Sequence, residues 1–300
     1  MTAGRSPALL CIGNVTIDEA IQPDGARSVA TGGDVLYAAL AARAHLERVS
    51  WLAPVGADLP ESDLDEIAAA GVVAADPARR ALPTVRNLIT YHRDGSRVWD
   101  LIHGEDHFDA MSVHPGDVGP RMLASDGILV SAMSLRSQVA LVPWLRRNTA
   151  ATIYLDLQED YIVGNEATWL SVIGSCDVFM PSEIEAVALA GTSDLDRAIR
   201  MFRSLGPGVV VIKRAEHGSL VLEAGGDTVV EVPAERVRAS DSTGAGDAFC
   251  GAFAAVHLAG GDPVRAARAA SATAAVAIGA PGFLGLLDHA RARRAGVHAG

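Results

Sequence analysis

Seven consecutive residues, 241 to 247, have the types and spacing that phosphate chemistry requires. Gly244 and Gly246 carry no Cβ, so the backbone can turn sharply and approach a ligand closely. A helix is predicted to follow from Ala248 to Ala259, and the free amides at a helix N-terminus favour an anion. Asp247 could cap this helix, or it could take a proton from a hydroxyl beside the bound anion. An anion cradle beside a carboxylate base is what phosphoryl transfer to an alcohol needs.

The longer segment 241–253, Asp-Ser-Thr-Gly-Ala-Gly-Asp-Ala-Phe-Cys-Gly-Ala-Phe, resembles the C-terminal signature of the ribokinase-like (PfkB) carbohydrate kinases. The resemblance implies that Asp247 is the catalytic base. It also implies that the amides of Gly244, Ala245 and Gly246 form an anion hole. We therefore expect ATP as the phosphoryl donor.

The resemblance further implies two cation sites. Asp241 and the carbonyl of Thr243 match positions that hold a monovalent cation such as K⁺ in this family. Glu185 matches a glutamate that helps to organise Mg²⁺, usually through water, and Ser182 replaces the family's Asn three residues earlier. By sequence alone, Ser182 could equally cap a helix that has Glu185 in its first turn.

A nucleotide-binding turn is expected at 213–218, where the family has Lys/Thr-x-Gly-x-x-Gly and this chain has Ala215 at the first glycine. Arg214 could reach a phosphate or lie solvated at the surface. The resemblance implies that adenine lies between this turn and the helix that carries Ser271 and Thr273. The residues predicted to contact the nucleotide are Lys213, Arg214, Glu216, Gly218, Thr243, Gly246 and Ser271.

The acceptor side is predicted near the end of the first strand, where open α/β sheets bind ligands. Asn14 and Asp18 follow that strand, and an Asp can accept hydrogen bonds from two adjacent sugar hydroxyls, or serve only in a turn. By resemblance, Asp18 is the sugar-binding Asp, and Gly32 and Gly33 let the backbone approach the substrate. Tyr37 stands where the family usually has Asn, which puts an aromatic ring near the substrate.

Two other patterns bear on the substrate and on metals. Asp156 ends a predicted strand and is followed by Glu159 and Asp160, which should repel a phosphorylated acceptor and so favour a neutral one. His103 and His107 have a spacing of four, but a neighbouring glycine predicts a loop near the small sheet rather than a metal site.

Composition excludes several classes of partner. The net charge of -11 argues against a general nucleic-acid or anionic-membrane surface. We expect no transmembrane or secretory segment, since no run of about 18 apolar residues occurs, and we expect a cytoplasmic protein. Cys11, Cys176 and Cys250 are scattered without metal-ligand spacing and are predicted to be reduced core cysteines.

The elements that position these residues alternate between short apolar strands and helices, which indicates a parallel sheet covered on both faces. Strands are predicted at 8–12, 49–55, 127–130, 152–157, 177–180 and 208–213. Helices are predicted at 34–45, 61–70, 136–147, 166–174, 182–204, 245–259, 263–278 and 285–295. Asp34 could cap the helix at 34–45, and a further β-compatible run covers 229–237. Early strands at 15–21, 26–30, 84–92 and 97–102 do not follow this alternation, and 93–96 is predicted to be the hairpin tip between the last two. The resemblance implies one domain over 1–300, a three-layer α/β sandwich with a β lid at about 14–31 and 84–103.

We therefore predict an ATP-dependent kinase of a small neutral sugar or polyol. A nucleoside kinase of the same fold is the nearer alternative, because Tyr37 could stack on a base. A non-catalytic sugar or nucleotide sensor is the more distant one. The protein could also form a homodimer in which exposed lid strands of two copies pair.

Overall fold

The computed structural model describes residues 5–75, 78–93, 97–223, 225–237 and 242–296. The strands are β1 (Ala8–Ile12), β2 (Thr16–Ile21), β3 (Arg27–Gly32), β4 (Arg48–Leu52), β5 (Pro54–Val55), β6 (Val72–Ala74), β7 (Ala78–Arg79), β8 (Val85–Tyr91), β9 (Arg97–Leu101), β10 (Gly127–Val130), β11 (Thr152–Leu155), β12 (Val178–Phe179), β13 (Val209–Lys213), β14 (Ser219–Glu223) and β15 (Val230–Val232). The helices are α1 (Asp34–Arg43), α2 (Glu61–Ala69), α3 (Glu105–Ala110), α4 (Pro120–Leu123), α5 (Leu135–Asn148), α6 (Glu166–Ile173), α7 (Glu183–Ala190), α8 (Leu195–Ser204), α9 (Ala245–Leu258), α10 (Pro263–Ile278) and α11 (Leu284–Arg294).

The main sheet has nine strands in the order β15-β14-β13-β12-β11-β10-β1-β4-β6. Neighbouring strands are parallel from β13 to β6. At the other edge, β14 is antiparallel to β13, and β15 is antiparallel to β14. Alternate residues of β1 face two separate cores: Leu9 and Cys11 join one, and Leu10 and Ile12 join the other. The first core is covered by α1, α9, α10 and α11, and the second by α5 to α8. The predicted sheet with helices on both faces is confirmed.

A separate small sheet has the order β3-β2-β8-β9. Strands β2 and β3 are antiparallel, as are β8 and β9, whereas β2 and β8 run parallel in a register that aligns Asp18 with Asn87. The small sheet is therefore confirmed as distinct from the main one. Its closure as a lid, and the single domain over 1–300, stay predictions.

Several predicted elements differ from those in the structure. The helix predicted over 182–204 is two helices, because Gly191 adopts φ +61° and ends α7. The strand predicted over 49–55 divides into β4 and β5, and the predicted loop after His103 contains α3. A β-compatible run over 229–237 yields only β15. The predicted hairpin tip, 93–96, lies outside the described residues except for Arg93.

Other predictions agree closely. The α10 helix has the predicted bounds, because the Asp262 side chain accepts a hydrogen bond from the amide of Arg265 and Pro263 occupies the first position. The three cysteines are free and buried. Within the described ranges, no helix is both long enough and apolar enough to cross a membrane.

Candidate active site

A cavity of about 970 Å³ lies where the carboxyl end of β1 meets the small sheet and the start of α9. It brings together most of the predicted acceptor and catalytic residues. Those in its wall are Asn14, Asp18, Gly33, Tyr37, Glu185, Thr243, Gly244 and Asp247. Residues separated by more than 200 positions in the sequence thus line one cavity, which we call the main cavity.

The glycine turn that precedes α9 has the predicted form. Gly244 adopts φ +73° and occupies the N-cap position, where its carbonyl accepts the amide of Ala248 at 2.8 Å. Ala245 and Gly246 then form the first turn, whose N–H groups have no partner within the helix. A Cβ at Gly244 would lie 2.1 Å from Cδ1 of Tyr37, so a larger residue would collide with that ring. The turn can therefore present amides to an anion in the main cavity.

Asp247 lies in the first turn of α9 and reaches the main cavity. Burial raises its pKa to about 6, with a further contribution from the negative charge of Asp156, while the ammonium of Lys213 acts in the opposite direction. A carboxylate with a pKa close to neutral is suited to accept a proton under physiological conditions.

A buried ion pair lies behind the glycine turn. Nζ of Lys213, the only lysine in the chain, donates to Oδ1 of Asp156 at 2.6 Å, and these side chains are 13% and 6% exposed. The thiol of Cys250 donates to the other oxygen of Asp156 at 3.2 Å. Burial disfavours the charge on Lys213, but Asp156, Cys250 and Glu185 together outweigh it, so the pKa of Lys213 lies above its ordinary value. A Cβ on Gly246 would lie 3.7 Å from Nζ, which places this cation next to the turn.

Glu185 combines a structural role with access to the main cavity. The amide of Ser182 donates to its Oε2 at 2.7 Å, and its own amide donates to Oγ of Ser182 at 3.2 Å. This reciprocal cap confirms that Ser182 caps α7. Burial, followed by the charge of Asp156, raises the pKa of Glu185 to about 8, although Lys213 lowers it.

Several carboxylates line the main cavity, among them Glu185, Glu159 and Asp247, and each is a possible donor to Mg²⁺. Within the described ranges no group of three or more His, Cys, Asp or Glu side chains is arranged to hold a metal. Mg²⁺ usually binds one or two carboxylates together with water and phosphate oxygens. One cavity-lining carboxylate, Glu185, fits that requirement. Asp241, predicted to hold a monovalent cation, lies outside the described residues.

The acceptor side contains two polar residues at the base of the small sheet. Oδ1 of Asp18 accepts from Nδ2 of Asn87 at 2.8 Å, and burial raises the pKa of Asp18. Nδ2 of Asn14 donates to the carbonyl of Met111 at 2.8 Å. Oδ1 of Asn14 is buried and has no hydrogen-bond partner in the part of the chain that is described. The wall of the main cavity therefore includes both a carboxylate and a carbonyl acceptor for hydroxyl groups.

The glycine pair before α1 is required by packing. A Cβ on Gly32 would lie 2.2 Å from Oδ2 of Asp18, and one on Gly33 would lie 2.2 Å from the carbonyl oxygen of Asn14. Gly33, at φ +114°, is the N-cap of α1, so the prediction that Asp34 caps this helix is wrong. Asp34 instead accepts the amide of Asn14 at 3.1 and 3.2 Å, which fastens the end of β1 to α1.

Tyr37 is 5% exposed, and one side of its ring packs on the glycine turn. It meets Phe283 edge to face, with ring centroids 6.1 Å apart. The ring lines the main cavity, yet it also fixes the position of Gly244.

The residues predicted to contact the nucleotide are not gathered in one cavity as the acceptor and catalytic residues are. Arg214 forms an ion pair with Glu231 and donates to the carbonyl of His217 at 2.8 Å, so its guanidinium is bound within its own hairpin. Gly218 adopts φ +80° and packs against the carbonyl of Val232. Ala215 takes φ +46°, a conformation in which glycine costs less than alanine.

Of the residues predicted to contact the nucleotide, one, Thr243, lies in the wall of the main cavity. The wall does not include Lys213, Arg214, Glu216, Gly218, Ala245, Gly246, Ser271 or Gly32. Thr273, which was expected near adenine, is hydrogen-bonded to Nε2 of His45 at 2.7 Å. Contact of the turn 213–218 and Ser271 with a nucleotide stays a prediction.

Sequence reasoning missed several residues of the main cavity. Asn87 pairs with Asp18 across the β2–β8 register, and the alternating pattern of β8 was the available signal. Trp99, Phe108 and Tyr161 add aromatic surface to the wall. Tyr161 donates to Glu105, which links α3 to the loop after β11. No short motif marks these aromatic residues, because they come from three separate segments.

Known proteins share this arrangement. Residues 9–288 match the pfkB family of carbohydrate kinases. The chain is 25% identical to a cytidine kinase of Thermococcus kodakarensis over 84% of this chain and 89% of that one. It is 28% identical to a 2-dehydro-3-deoxygluconokinase of Thermoproteus tenax over 78% of this chain and 70% of the relative.

Solved structures show the same fold. An adenosine kinase from Sinorhizobium meliloti superimposes with a TM-score of 0.80 at 20% identity, over 97% of this chain and 100% of that one. A ribokinase from Thermotoga maritima gives 0.76 at 21% identity, over 95% and 98%. The solved structures show the fold, and the match over residues 9–288 shows that the chain is a kinase of the pfkB carbohydrate kinase family.

Proposed function

We propose that this protein transfers the γ-phosphoryl group of ATP to a hydroxyl of a small neutral sugar or polyol, with Asp247 as the catalytic base. The observation that carries the proposal is that Asp247 and Asp18 line one cavity, although they come from opposite ends of the sequence. One carboxylate lies beside the anion-binding turn, and the other lies at the base of the small sheet.

The acceptor would be held by its hydroxyl groups. Asp18, already oriented by Asn87, can accept hydrogen bonds from adjacent hydroxyls, and Oδ1 of Asn14 can accept another. Asp247 would then remove the proton from the reacting hydroxyl. A neutral acceptor is supported by the carboxylates of Glu159 and Asp160, which also line the cavity and would repel a phosphate ester.

The transferred phosphoryl group would meet the amides of Gly244, Ala245 and Gly246, with the charge of Lys213 behind them. When bound, Mg²⁺ would neutralise charge on the phosphates from a position near Glu185. Contacts of Arg214, Glu216, Gly218 and Ser271 with the nucleotide rest on the family resemblance alone.

A nucleoside is the second candidate acceptor. Trp99, Phe108 and Tyr161 supply aromatic surface to the cavity beside Asp18 and Asn87, and such rings stack on bases. A volume of about 970 Å³ has room for a base as well as a sugar ring. The relative named a cytidine kinase supports the same candidate.

The test is the release of ADP from Mg-ATP with a panel of sugars, sugar acids, inositols and nucleosides. We expect one acceptor class to be phosphorylated and Asp247→Asn to lower kcat by about 10²- to 10⁴-fold, as for removal of a general base. Asp65→Asn on the exposed face of α2 is the matched control and should keep full activity. Activity on nucleosides and not on free sugars would select the second candidate. Binding of ATP with no turnover of any acceptor would instead indicate a sensor, and full activity of Asp247→Asn would exclude Asp247 as the base.

We also propose that a second copy of the chain binds the edge of the small sheet. Val29 on β3 is 64% exposed and Ile102 after β9 is 46% exposed, and an open strand edge invites pairing with another strand. Sedimentation velocity should give a dimer for the wild type and a monomer for Val29→Glu. A monomeric wild type would exclude this interface.

A further inference from the structure

A second cavity, of about 440 Å³, lies at the opposite end of β1 from Asn14. Ser6 and Pro7, which immediately precede β1, form part of its wall. The rest comes from the C-terminal ends of α1, α9 and α11, including Arg43, Arg293 and Arg294, and from residues 45–47 between α1 and β4. We call this cavity the arginine pocket. It shares no lining residue with the main cavity.

The charges of the arginine pocket are unbalanced. Glu47 is the one carboxylate in its wall, against three guanidinium groups. Among the described residues, none of these three arginines lies within ion-pair distance of a carboxylate; the adjacent Arg291, by contrast, pairs with Glu66 at 2.9 Å. Since the chain as a whole has a net charge of -11, three arginines beside one carboxylate give this pocket a charge of opposite sign to that of the whole chain.

Hydrogen bonds to carbonyls near helix ends use only a few of the N–H donors of these three guanidinium groups. Arg43 donates to the carbonyl of Leu46 at 3.4 Å, Arg293 donates to that of His45 at 3.3 Å, and Arg294 donates to that of Ala69. Such bonds satisfy carbonyls near helix C-termini. Each guanidinium has five N–H donors, however, so most of its donor capacity remains for a ligand.

Arg43 is the most confined of the three. It is 7% exposed, and its Nε is buried without a hydrogen-bond partner in the described part of the chain. Burial, followed by the positive charge of Arg293, lowers its pKa; Glu47 acts in the opposite direction, and Arg294 lowers it further. Holding a buried cation beside two others costs free energy, and a bound anion would offset that cost.

We propose that the arginine pocket binds the phosphate group of a small molecule at a site separate from the main cavity. Planar guanidinium groups match phosphate oxygens through paired hydrogen bonds, and three of them converge here around a space that holds a small metabolite. This proposal does not depend on the acceptor of the kinase reaction.

The test is isothermal titration of the protein in Mg²⁺-containing buffer with three probes, each titrated separately: inorganic pyrophosphate, a hexose monophosphate and a non-hydrolysable ATP analogue. We expect one equivalent of at least one probe to bind the wild type. Arg293→Ala/Arg294→Ala should weaken that binding by about tenfold for each arginine removed. Arg147→Ala/Arg197→Ala removes the same charge from exposed sites on α5 and α8 and should leave binding unchanged.

The outcomes distinguish the sources of phosphate. Pyrophosphate alone would indicate an inorganic phosphate chain, and the hexose ester alone would indicate a sugar phosphate. If the ATP analogue itself binds at two sites in the wild type and at one in Arg293→Ala/Arg294→Ala, the ligand is a nucleotide. Equal binding by the wild type and that variant, or no binding of any probe outside the main cavity, would overturn the proposal and leave the arginines as caps of helix ends.

Discussion

Buried charged groups lie beside both the main cavity and the arginine pocket, but the two regions differ in whether an opposite charge contacts them. Beside the main cavity, Lys213 contacts Asp156 at 2.6 Å and its field lowers the pKa values of Glu185 and Asp247. In the arginine pocket, Arg43 has two further arginines around it and one glutamate in the wall. Compensated charge holds a carboxylate at a pKa close to neutral, as proton transfer requires. Uncompensated charge is available to a ligand of opposite sign.

The largest expected effect follows from removing the compensating cation. Lys213→Met leaves Asp156 buried without its partner, which should lower the free energy of unfolding by about 3–5 kcal/mol. Urea denaturation at pH 7 measures the change. The double variant Lys213→Met/Asp156→Asn should recover part of the loss, because it removes the uncompensated carboxylate as well. Equal stability of Lys213→Met and the wild type would show that the ion pair does not stabilise the fold.

The next effect concerns pH. The pKa of Asp247 is raised to about 6 by burial and by Asp156, and the base must be deprotonated to act. We therefore expect kcat/KM to be constant above that pH and to fall about tenfold for each pH unit below it. A pH–rate profile measures this limb. Because Lys213 lowers the pKa of Asp247, the limb should move to higher pH in active Lys213→Met protein, and an unchanged limb would contradict the assigned coupling.

The smallest effect is expected in the arginine pocket. Arg293→Gln/Arg294→Gln removes two cations that have no carboxylate partner among the described residues, so no buried charge loses its compensation. In phosphate-free buffer the free energy of unfolding should change by about 0.5 kcal/mol or less. The same urea experiment measures it. A loss as large as that of Lys213→Met would mean that the two regions do not differ as described.

Local sequence signals located much of the site in advance. Gly244 and Gly246 before a small-residue helix predicted a turn with free amides, and the structure has that turn at the start of α9. Ser182 and Glu185 predicted a capped helix, and both hydrogen bonds of the cap are present. These features were accessible because each depends on residues within one or two turns of chain.

Other features depend on contacts that are distant in sequence. Asp34 has the residue type of a helix cap, yet it binds the amide of Asn14, because Gly33 adopts a conformation that makes it the cap. Lys213 was expected at the nucleotide, a contact that stays a prediction, and the structure adds that its ammonium contacts Asp156 beneath the glycine turn. Thr273 was expected near adenine and binds His45. In each case the hydrogen-bond partner is distant in sequence, and only the tertiary structure brings it close.

The sequence by itself determined the alternation of strands and helices, the glycine turn and its carboxylate, because hydrophobic period and glycine conformation act over a few residues. The tertiary structure decided which charges meet. It brought Asp18, Glu185 and Asp247 to one cavity and gave Lys213 a carboxylate partner. It also gathered Arg43, Arg293 and Arg294 around another cavity, whose wall has Glu47 as its one carboxylate. Electrostatic energy in a folded chain depends on distances and burial that only the packing of the elements fixes.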